Sequence, residues 1–228
     1  MRRLATAGIL ATAALWALLY RLGRTWGATG EERQRHLPGD ELVPHAAIVT
    51  DHAVDISAPA ERIWPWLLQV GWGRGGWYTY RWVDALLFPA NAPSATAIRA
   101  ELQQLAVGDK ILDGPPEADC FFTVQELVPE RVLVLLSHTH LPPQLRGRPG
   151  IGLNFSWTFN LEPLSGGRTR FHFRSRAAAH PWWLLAAYRM LLVPADFLMA
   201  RSMCMGLKRR AEAEIAAVLL SGDPGGEG

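Results

Sequence analysis

The chain has 228 residues, of which 49% are hydrophobic and 19% are charged, and its formal net charge at pH 7 is +2. These values exclude a disordered or collagen-like chain and allow one domain with a real core. The two cysteines, Cys120 and Cys204, lie far apart, and no Cys/His cluster has zinc spacing, so disulfide-scaffold and zinc-finger classes are excluded. Basic residues are not concentrated in one region, which argues against nucleic acid as a partner.

The first element is an apolar segment behind two arginines. Residues Leu4 to Tyr20 are uncharged and follow Arg2 and Arg3, a pattern typical of a signal peptide or a membrane anchor. A spanning helix needs about 17–25 apolar residues, and bulky and basic residues follow the run. We therefore expect residues 1–24 to form an uncleaved single-pass anchor, with a cleaved signal segment as the alternative. Arginines flank both ends, which leaves the side of the folded domain open.

Residues 25–48 are polar and turn-rich, and they predict a connector. The stretch contains the sequence Leu-Pro-Gly-Asp-Glu at Leu37–Glu41, in which Pro presets φ and Gly accepts a positive φ. The folded domain is expected at residues 49–220. The glycine-rich tail, residues 221–228, is expected to be disordered.

The domain begins with an alternating strand at His52–Ile56. Pro59 marks the start of a helix that Pro65 should kink or restart. Further helices are predicted at Arg81–Phe88 and Ala97–Leu105. Four or five strands follow, at Val107–Leu112, Phe121–Val128, Arg131–His138, Ile151–Leu161 and Arg168–Ala177.

A long helix closes the domain at Trp182–Leu220, with a break near Pro194. Trp182 and Trp183, at its start, are candidates for contact with a bilayer interface. Strands in a run and segregated helices predict an α+β class. The predicted architecture is a curved antiparallel sheet wrapped around the C-terminal helix, which encloses a cavity and is preceded by the transmembrane helix.

One strand carries a row of basic side chains at alternate positions: Arg170, His172, Arg174 and Arg176. Alternate positions of a strand share one face of the sheet. We expect this row to lie on a solvated outer face. The alternative is contact with anionic lipid headgroups.

These elements and several motifs resemble the START/Bet v 1-like superfamily, also labelled SRPBCC or polyketide cyclase/dehydrase-like. The likeness begins at Asp55–Leu67, an alternating strand followed by Ala-Pro and a Trp-containing helix. An uncharacterised bacterial membrane-anchored subgroup also shares the Leu37–Glu41 turn, Trp64–Gly71 and Gly73–Tyr78. The resemblance implies a helix-grip fold and a cavity for a hydrophobic small molecule, and it implies no particular reaction.

Arg74 and Tyr78 are the first candidates for chemistry. An arginine between glycines and beside aromatic residues can bind a ligand carboxylate or phosphate in a bidentate way. The alternative is that Arg74 pairs with Asp84 or Glu101 and holds its loop.

His138 is the third candidate, as an acid or base that faces the pocket, because imidazole titrates near neutral pH. Its neighbour His140 lies two positions on, but two histidines without a carboxylate at matching spacing are a weak metal pattern. We therefore expect no metal and no cofactor.

Three functional hypotheses follow. The leading one is a membrane-tethered module that binds or carries a hydrophobic small molecule or lipid, with an almost wholly apolar cavity. The rival is a polyketide cyclase/aromatase-like enzyme, with a polar cluster deep in the cavity. The third is a structural interaction domain with no cavity above about 300 Å³.

The expected ligand-binding residues are the apolar and aromatic side chains of the strands, the first domain helix and the loop after it. A strand register shifted by one residue would flip the inward set. The set comprises Val54, Ile56, Trp64, Trp77, Tyr78, Phe122, Val134, Phe155, Trp157, Phe159, Phe171 and Phe173.

Overall fold

A six-stranded antiparallel sheet and one long helix organise the structure, a computed structural model that describes residues 2–87, 89 and 92–221. The sheet has the spatial order β1-β6-β5-β4-β3-β2. Its strands are β1 (Ile48–Ile56), β2 (Lys110–Leu112), β3 (Phe121–Val128), β4 (Val132–Ser137), β5 (Gly152–Leu164) and β6 (Arg168–His180).

The α-helices in the described ranges are α1 (Arg2–Thr25), α2 (Gly30–Gln34), α3 (Ala60–Leu68), α4 (Arg81–Leu87), α5 (Trp182–Ala187) and α6 (Val193–Ser221). A π-helical turn at Tyr188–Leu192 joins α5 to α6, and the chain bends by 52° there. The predicted α+β class and the helix-grip architecture are therefore confirmed.

Helix α6 packs across the concave face of the sheet. Its small and apolar side chains, among them Ala200, Cys204 and Leu207, are buried against the aromatic rings of β5 and β6. At Gly206 the helix comes so close to the loop between α3 and α4 that a Cβ atom would overlap the carbonyl oxygen of Tyr78. Glycine is required there because any side chain would push the helix away from the core.

The opposite face of the sheet is covered by the chain between α1 and β1, so the expectation of a solvated row was wrong. Arg174 is only 2% exposed, and its guanidinium donates to Asp51 Oδ1 at 2.7 Å and to Asp40 Oδ2 at 2.8 Å. His172 Nε2, fully buried, lies 2.9 Å from the same Asp51 oxygen. Arg170 binds Glu32 at 2.7 Å. The partners lie more than 100 positions away, which alternation within one strand does not reveal.

The Leu37–Glu41 turn is part of this cover. Gly39 has φ +84°, and a Cβ there would overlap the side chain of Val134 on β4. Thr158 on β5 donates its hydroxyl to the Pro38 carbonyl at 2.9 Å. The turn thus docks on the sheet through the close packing at Gly39, the Thr158 hydrogen bond and the ion pair of Asp40 with Arg174.

The helix predicted at Ala97–Leu105 was wrong, since only a short 3-10 turn, Ala100–Leu102, forms there. The side chain of Gln69 holds this segment instead. It accepts a hydrogen bond from Arg99 N at 2.9 Å and donates to Ala97 O at 3.3 Å. Phe88, the predicted end of α4, and residues 222–228 of the predicted tail lie outside the described residues.

Helix α1 is exposed from Thr6 to Leu18 and docks on the domain near its C-terminal end. The segment Thr6–Thr25 is long and apolar enough to cross a membrane. Gly23 permits close approach, because a Cβ there would overlap the carbonyl oxygen of Val193, and Trp16 Nε1 donates to Met190 O at 2.9 Å. The helical segments Trp182–Leu191 and Val193–Ala213, which meet at the bend, are also long and apolar enough to cross a membrane when they are taken together as one span.

The buried ion-pair network on the outer face gives the first prediction. Replacing Arg174 by Met leaves Asp40 and Asp51 buried with fewer partners, so the free energy of unfolding falls by about 3–5 kcal/mol. Urea unfolding of the detergent-solubilised chain, followed by tryptophan fluorescence, measures this loss. Arg168→Met is the control, since its half-exposed guanidinium reaches Asp55 only at 3.9 Å, and it should cost at most about 1 kcal/mol. Equal losses in the two variants would contradict the assignment.

Candidate ligand cavity

A cavity of about 430 Å³ lies between the sheet and the corner formed by α5, the π-helical turn and α6. Its floor follows from the strand register. Thr50 on β1 is opposite Ser175 on β6, which is opposite Trp157 on β5, so these three side chains share the concave face. The hydroxyls of Thr50 and Ser175 lie 2.7 Å apart and bond to each other. The floor is therefore largely apolar, with its two hydroxyls paired.

The roof of the cavity is the start of α6 and the turn before it. Tyr188, Val193, Asp196 and Met199 line it. The bend at the π-helical turn changes the direction of the chain here, whereas α6 touches the core closely at Gly206, further along. The cavity lies where the bend occurs.

One wall carries a chain of hydrogen bonds centred on His140. Its Nε2 lies 2.8 Å from Asp113 Oδ2 and its Nδ1 lies 2.6 Å from Ser137 Oγ. A carboxylate only accepts, so Nε2 donates to Asp113. The Tyr188 hydroxyl donates to the His140 carbonyl. Both ring nitrogens of His140 are therefore engaged by protein groups.

Cys120 and Tyr188, which also line the cavity, are held in their neutral forms. Burial raises the pKa of the Cys120 thiol to about 11 and that of the Tyr188 hydroxyl to about 12. A protonated thiol is a poor nucleophile. No three His, Cys, Asp or Glu side chains come together as metal ligands within the part of the chain that the structure describes.

Asp196 is the unusual residue of the lining. Its carboxyl has no hydrogen-bond donor from any residue in the described ranges, yet protein surrounds it, and burial raises its pKa to about 7. The side chain keeps some accessible surface because it lines the cavity. A buried carboxylate without a partner is costly, and perturbed acids in clefts are candidates for function.

Positive charge is sparse around the cavity. Among its lining residues in the described part of the chain, none is Arg or Lys, whereas Asp113 and Asp196 are both acids. Arg146 lies nearby, but its guanidinium is bound to the backbone carbonyls of Leu141 at 2.9 Å and Ala118 at 2.6 Å. The cavity is therefore apolar with an acidic bias.

Of the twelve ligand-binding residues predicted from sequence, the structure places Phe155 and Trp157 in this lining. Val134 lies on the opposite face, under Gly39, because its neighbours Leu133 and Leu135 take the inward positions. The others fill the core beneath α3 and α6, with Val54 at its edge: Val54, Ile56, Trp64, Trp77, Tyr78, Phe122, Phe159, Phe171 and Phe173.

Arg74 does not reach this cavity lining. Its guanidinium donates to the backbone carbonyls of Val70 at 3.1 Å, Leu68 at 2.9 Å and Leu102 at 3.1 Å. Desolvation lowers its pKa. Tyr78 is buried, and its hydroxyl donates to the Trp66 carbonyl at 2.6 Å. Both candidates therefore join the end of α3 to the loops that follow it.

His138 is exposed, and its Nδ1 lies 2.9 Å from Asn154 Oδ1. The histidine in the lining is instead His140, which lies just past the end of β4. Sequence reasoning missed His140, Asp113 and Asp196. The sequence feature that could have identified Asp196 is its position as an aspartate within the apolar start of the last helix.

Two other hollows lie on the surface. One, of about 360 Å³, is lined by Arg174, Arg176 and Asp40, which already bond to each other or to backbone carbonyls. The other, of about 630 Å³, is lined by Trp66 and Arg210, whose Nε donates to Ala95 O at 2.7 Å. Their named charged groups thus have protein partners, in contrast to Asp196.

No protein-family model and no curated protein matches the chain. Several solved structures are similar to it. The aromatase/cyclase ZhuI from Streptomyces sp. R1128 is 16% identical, with 75% of this chain and 96% of that chain covered and a TM-score of 0.42. A hypothetical protein from Helicobacter pylori is 10% identical, with coverage of 77% and 95% and a TM-score of 0.46. Norcoclaurine synthase from Thalictrum flavum is 13% identical, with coverage of 71% and 94% and a TM-score of 0.39.

The contacts of Arg74 give the second prediction. Arg74→Ala removes three hydrogen bonds from a charged donor. Each such bond contributes up to about 3 kcal/mol to the free energy of unfolding. We expect the melting temperature to fall by roughly 4 °C or more, since about 1 kcal/mol shifts it by 2–4 °C in a chain of this size. Differential scanning fluorimetry measures it, with Arg99→Ala, exposed in the same region, as the control. An unchanged melting temperature together with loss of an anionic ligand would favour the ligand-binding role of Arg74.

Proposed function

We propose that this protein binds or carries a hydrophobic small molecule in the cavity between its sheet and α6. The observation that supports the proposal is an apolar cavity of about 430 Å³, which lies within the range of ligand pockets, about 300–1,000 Å³. Burial of apolar ligand surface in the cavity supplies the driving force.

A proton-transfer enzyme is the second candidate, because the Asp113–His140 pair lies in the lining. A general base needs a free lone pair within reach of its substrate. Ser137 and Asp113 occupy both ring nitrogens of His140. The pair therefore suits a positioning role in the wall better than catalysis, and we favour the binding module.

We further propose that α1 anchors this module in a membrane, beside the cavity. Its apolar side chains are exposed, with Ile9 at 70% and Leu10 at 65%. The exposed residues Met190 and Leu191 lie on the turn that also carries Tyr188 into the cavity lining. An apolar surface continuous with the anchor would bring the cavity close to lipid.

The third prediction tests the cavity by filling it. Ala177 lines the cavity on β6, so Ala177→Phe should occupy part of its volume and weaken Nile red binding by about tenfold or more, the equivalent of about 1.4 kcal/mol. Fluorescence titration of the full chain in phosphatidylcholine nanodiscs, corrected for empty discs, measures this. Ala178→Phe is the matched control, because the adjacent side chain points to the other face of the strand. Equal binding by wild type and both variants would reject the cavity as the site.

The fourth prediction concerns α1. The wild-type chain should resist extraction from membranes by alkaline carbonate and should keep residues 1–24 by intact-mass analysis. Leu10→Arg places a charge in the apolar run, at a cost of about 2.5–3.5 kcal/mol near the bilayer centre, and should shift protein to the soluble fraction. Leu10→Phe should not. A soluble wild-type chain whose mass lacks the N-terminal segment would establish the cleaved-signal alternative.

A further inference from the structure

We propose that the cavity selects hydrophobic ligands that carry a cationic amine, which binds the carboxylate of Asp196. This inference rests on the proposed function, because it presumes that the cavity takes a ligand. The ligand class is therefore an amphiphilic amine, with an apolar body against the floor and an ammonium group at the roof.

The first step is that the carboxylate of Asp196 lacks a hydrogen-bond donor among the described residues. Asp196 lines the roof, and none of the residues in the described ranges donates a hydrogen bond to it. A carboxylate has room for about four donors. An unpaired charge surrounded by protein is costly unless a partner compensates it.

The second step is that the other polar groups of the lining are already engaged. The hydroxyls of Thr50 and Ser175 bond to each other, and the Tyr188 hydroxyl donates to a backbone carbonyl. The imidazole of His140 is held between Asp113 and Ser137. Asp196 is thus the carboxylate of the lining that accepts no hydrogen bond from the residues that the structure describes.

The third step is the sign of the charge. The lining contains two acids, Asp113 and Asp196, and none of its residues in the described part of the chain is Arg or Lys. A ligand carboxylate or phosphate would lose its hydration and meet like charge. An ammonium group would instead form a charge-assisted hydrogen bond, which is stronger than a neutral one.

The remaining surface of the cavity sets the rest of the ligand. Trp157 and Phe155 from the floor, with Val193 and Met199 from the roof, are apolar side chains. They offer contact but no further charge for the ligand to satisfy. One cationic group on an otherwise apolar body therefore matches the cavity in both charge and polarity.

The test compares three ligands of one chain length: octylamine, octanol and octanoate. The full chain is held in phosphatidylcholine nanodiscs at about pH 8.5, where Asp196 is ionised and an alkylammonium, like lysine, keeps its proton. Equilibrium dialysis measures binding, and the difference between wild type and Ala177→Phe defines the cavity-specific part. Wild type should bind octylamine about tenfold or more tightly than octanol, and octanoate most weakly. This ranking needs no Asp196 variant.

Asp196→Asn keeps the shape and removes the charge. It should weaken octylamine binding about tenfold and leave octanol within about twofold. Asp119→Asn, at an exposed aspartate outside the lining, is the matched control and should change neither ligand. Cavity-specific binding of octanol or octanoate as tight as that of octylamine would overturn the amine preference and leave the binding function standing. Absence of cavity-specific binding for all three ligands would overturn both.

Discussion

The close packing of α6 against the concave face of the sheet sets where this protein has a core and where it has a cavity. At Gly206 the helix lies against the backbone of Tyr78 with no room for a side chain. Protein interiors pack densely. With the helix this close, Ala200, Cys204 and Leu207 of α6 are buried in one cluster with the aromatic side chains of the sheet. The bend at Tyr188–Leu192 changes the course of the chain before α6 begins. The space at that corner is the cavity.

The same sheet is held from its other side by charge. Arg174 and His172 are buried, and both reach Asp51, while Arg174 also reaches Asp40 in the connector. Removing one member of such a network leaves a buried charge uncompensated, which is strongly destabilising. The connector is therefore fixed on the sheet. Helix α1, which precedes the connector, contacts Val193 and Met190. The segment that looks like a tether acts as a second layer of the fold.

The most distinctive sequence motifs, the glycine-rich segment with Arg74 and the Leu37–Glu41 turn, hold irregular segments in place. The glycine-arginine loop uses Arg74 to bind backbone carbonyls at the end of α3, and Gln69 binds the backbone at Ala97 and Arg99. Gly39 packs on Val134. Buried backbone polar groups in irregular segments need hydrogen-bond partners, and these long polar side chains supply several of them. Residues that resembled ligand-binding groups thus stabilise loops, and the cavity is lined by less conspicuous ones.

Local pattern was enough to predict most of the regular structure. The strand predicted at Phe121–Val128 matches β3 at both ends. Alternation placed Phe155 and Trp157 on the inward face, since side-chain direction in a strand has a period of two. It failed at Val134, where one residue of register separates the inward from the outward face. It also failed at residues 97–105, where the side chain of Gln69 binds the backbone of Ala97 and Arg99.

The sequence by itself determined the class of fold, the apolar helix α1 and the chemical nature of the core, because these depend on patterns within short segments. Only the tertiary structure decided which groups meet. Asp113, His140 and Asp196 come from three separate parts of the chain, and the ion pairs of Arg174 join residues more than 120 positions apart. Such contacts depend on how distant elements pack, and no local pattern encodes that distance.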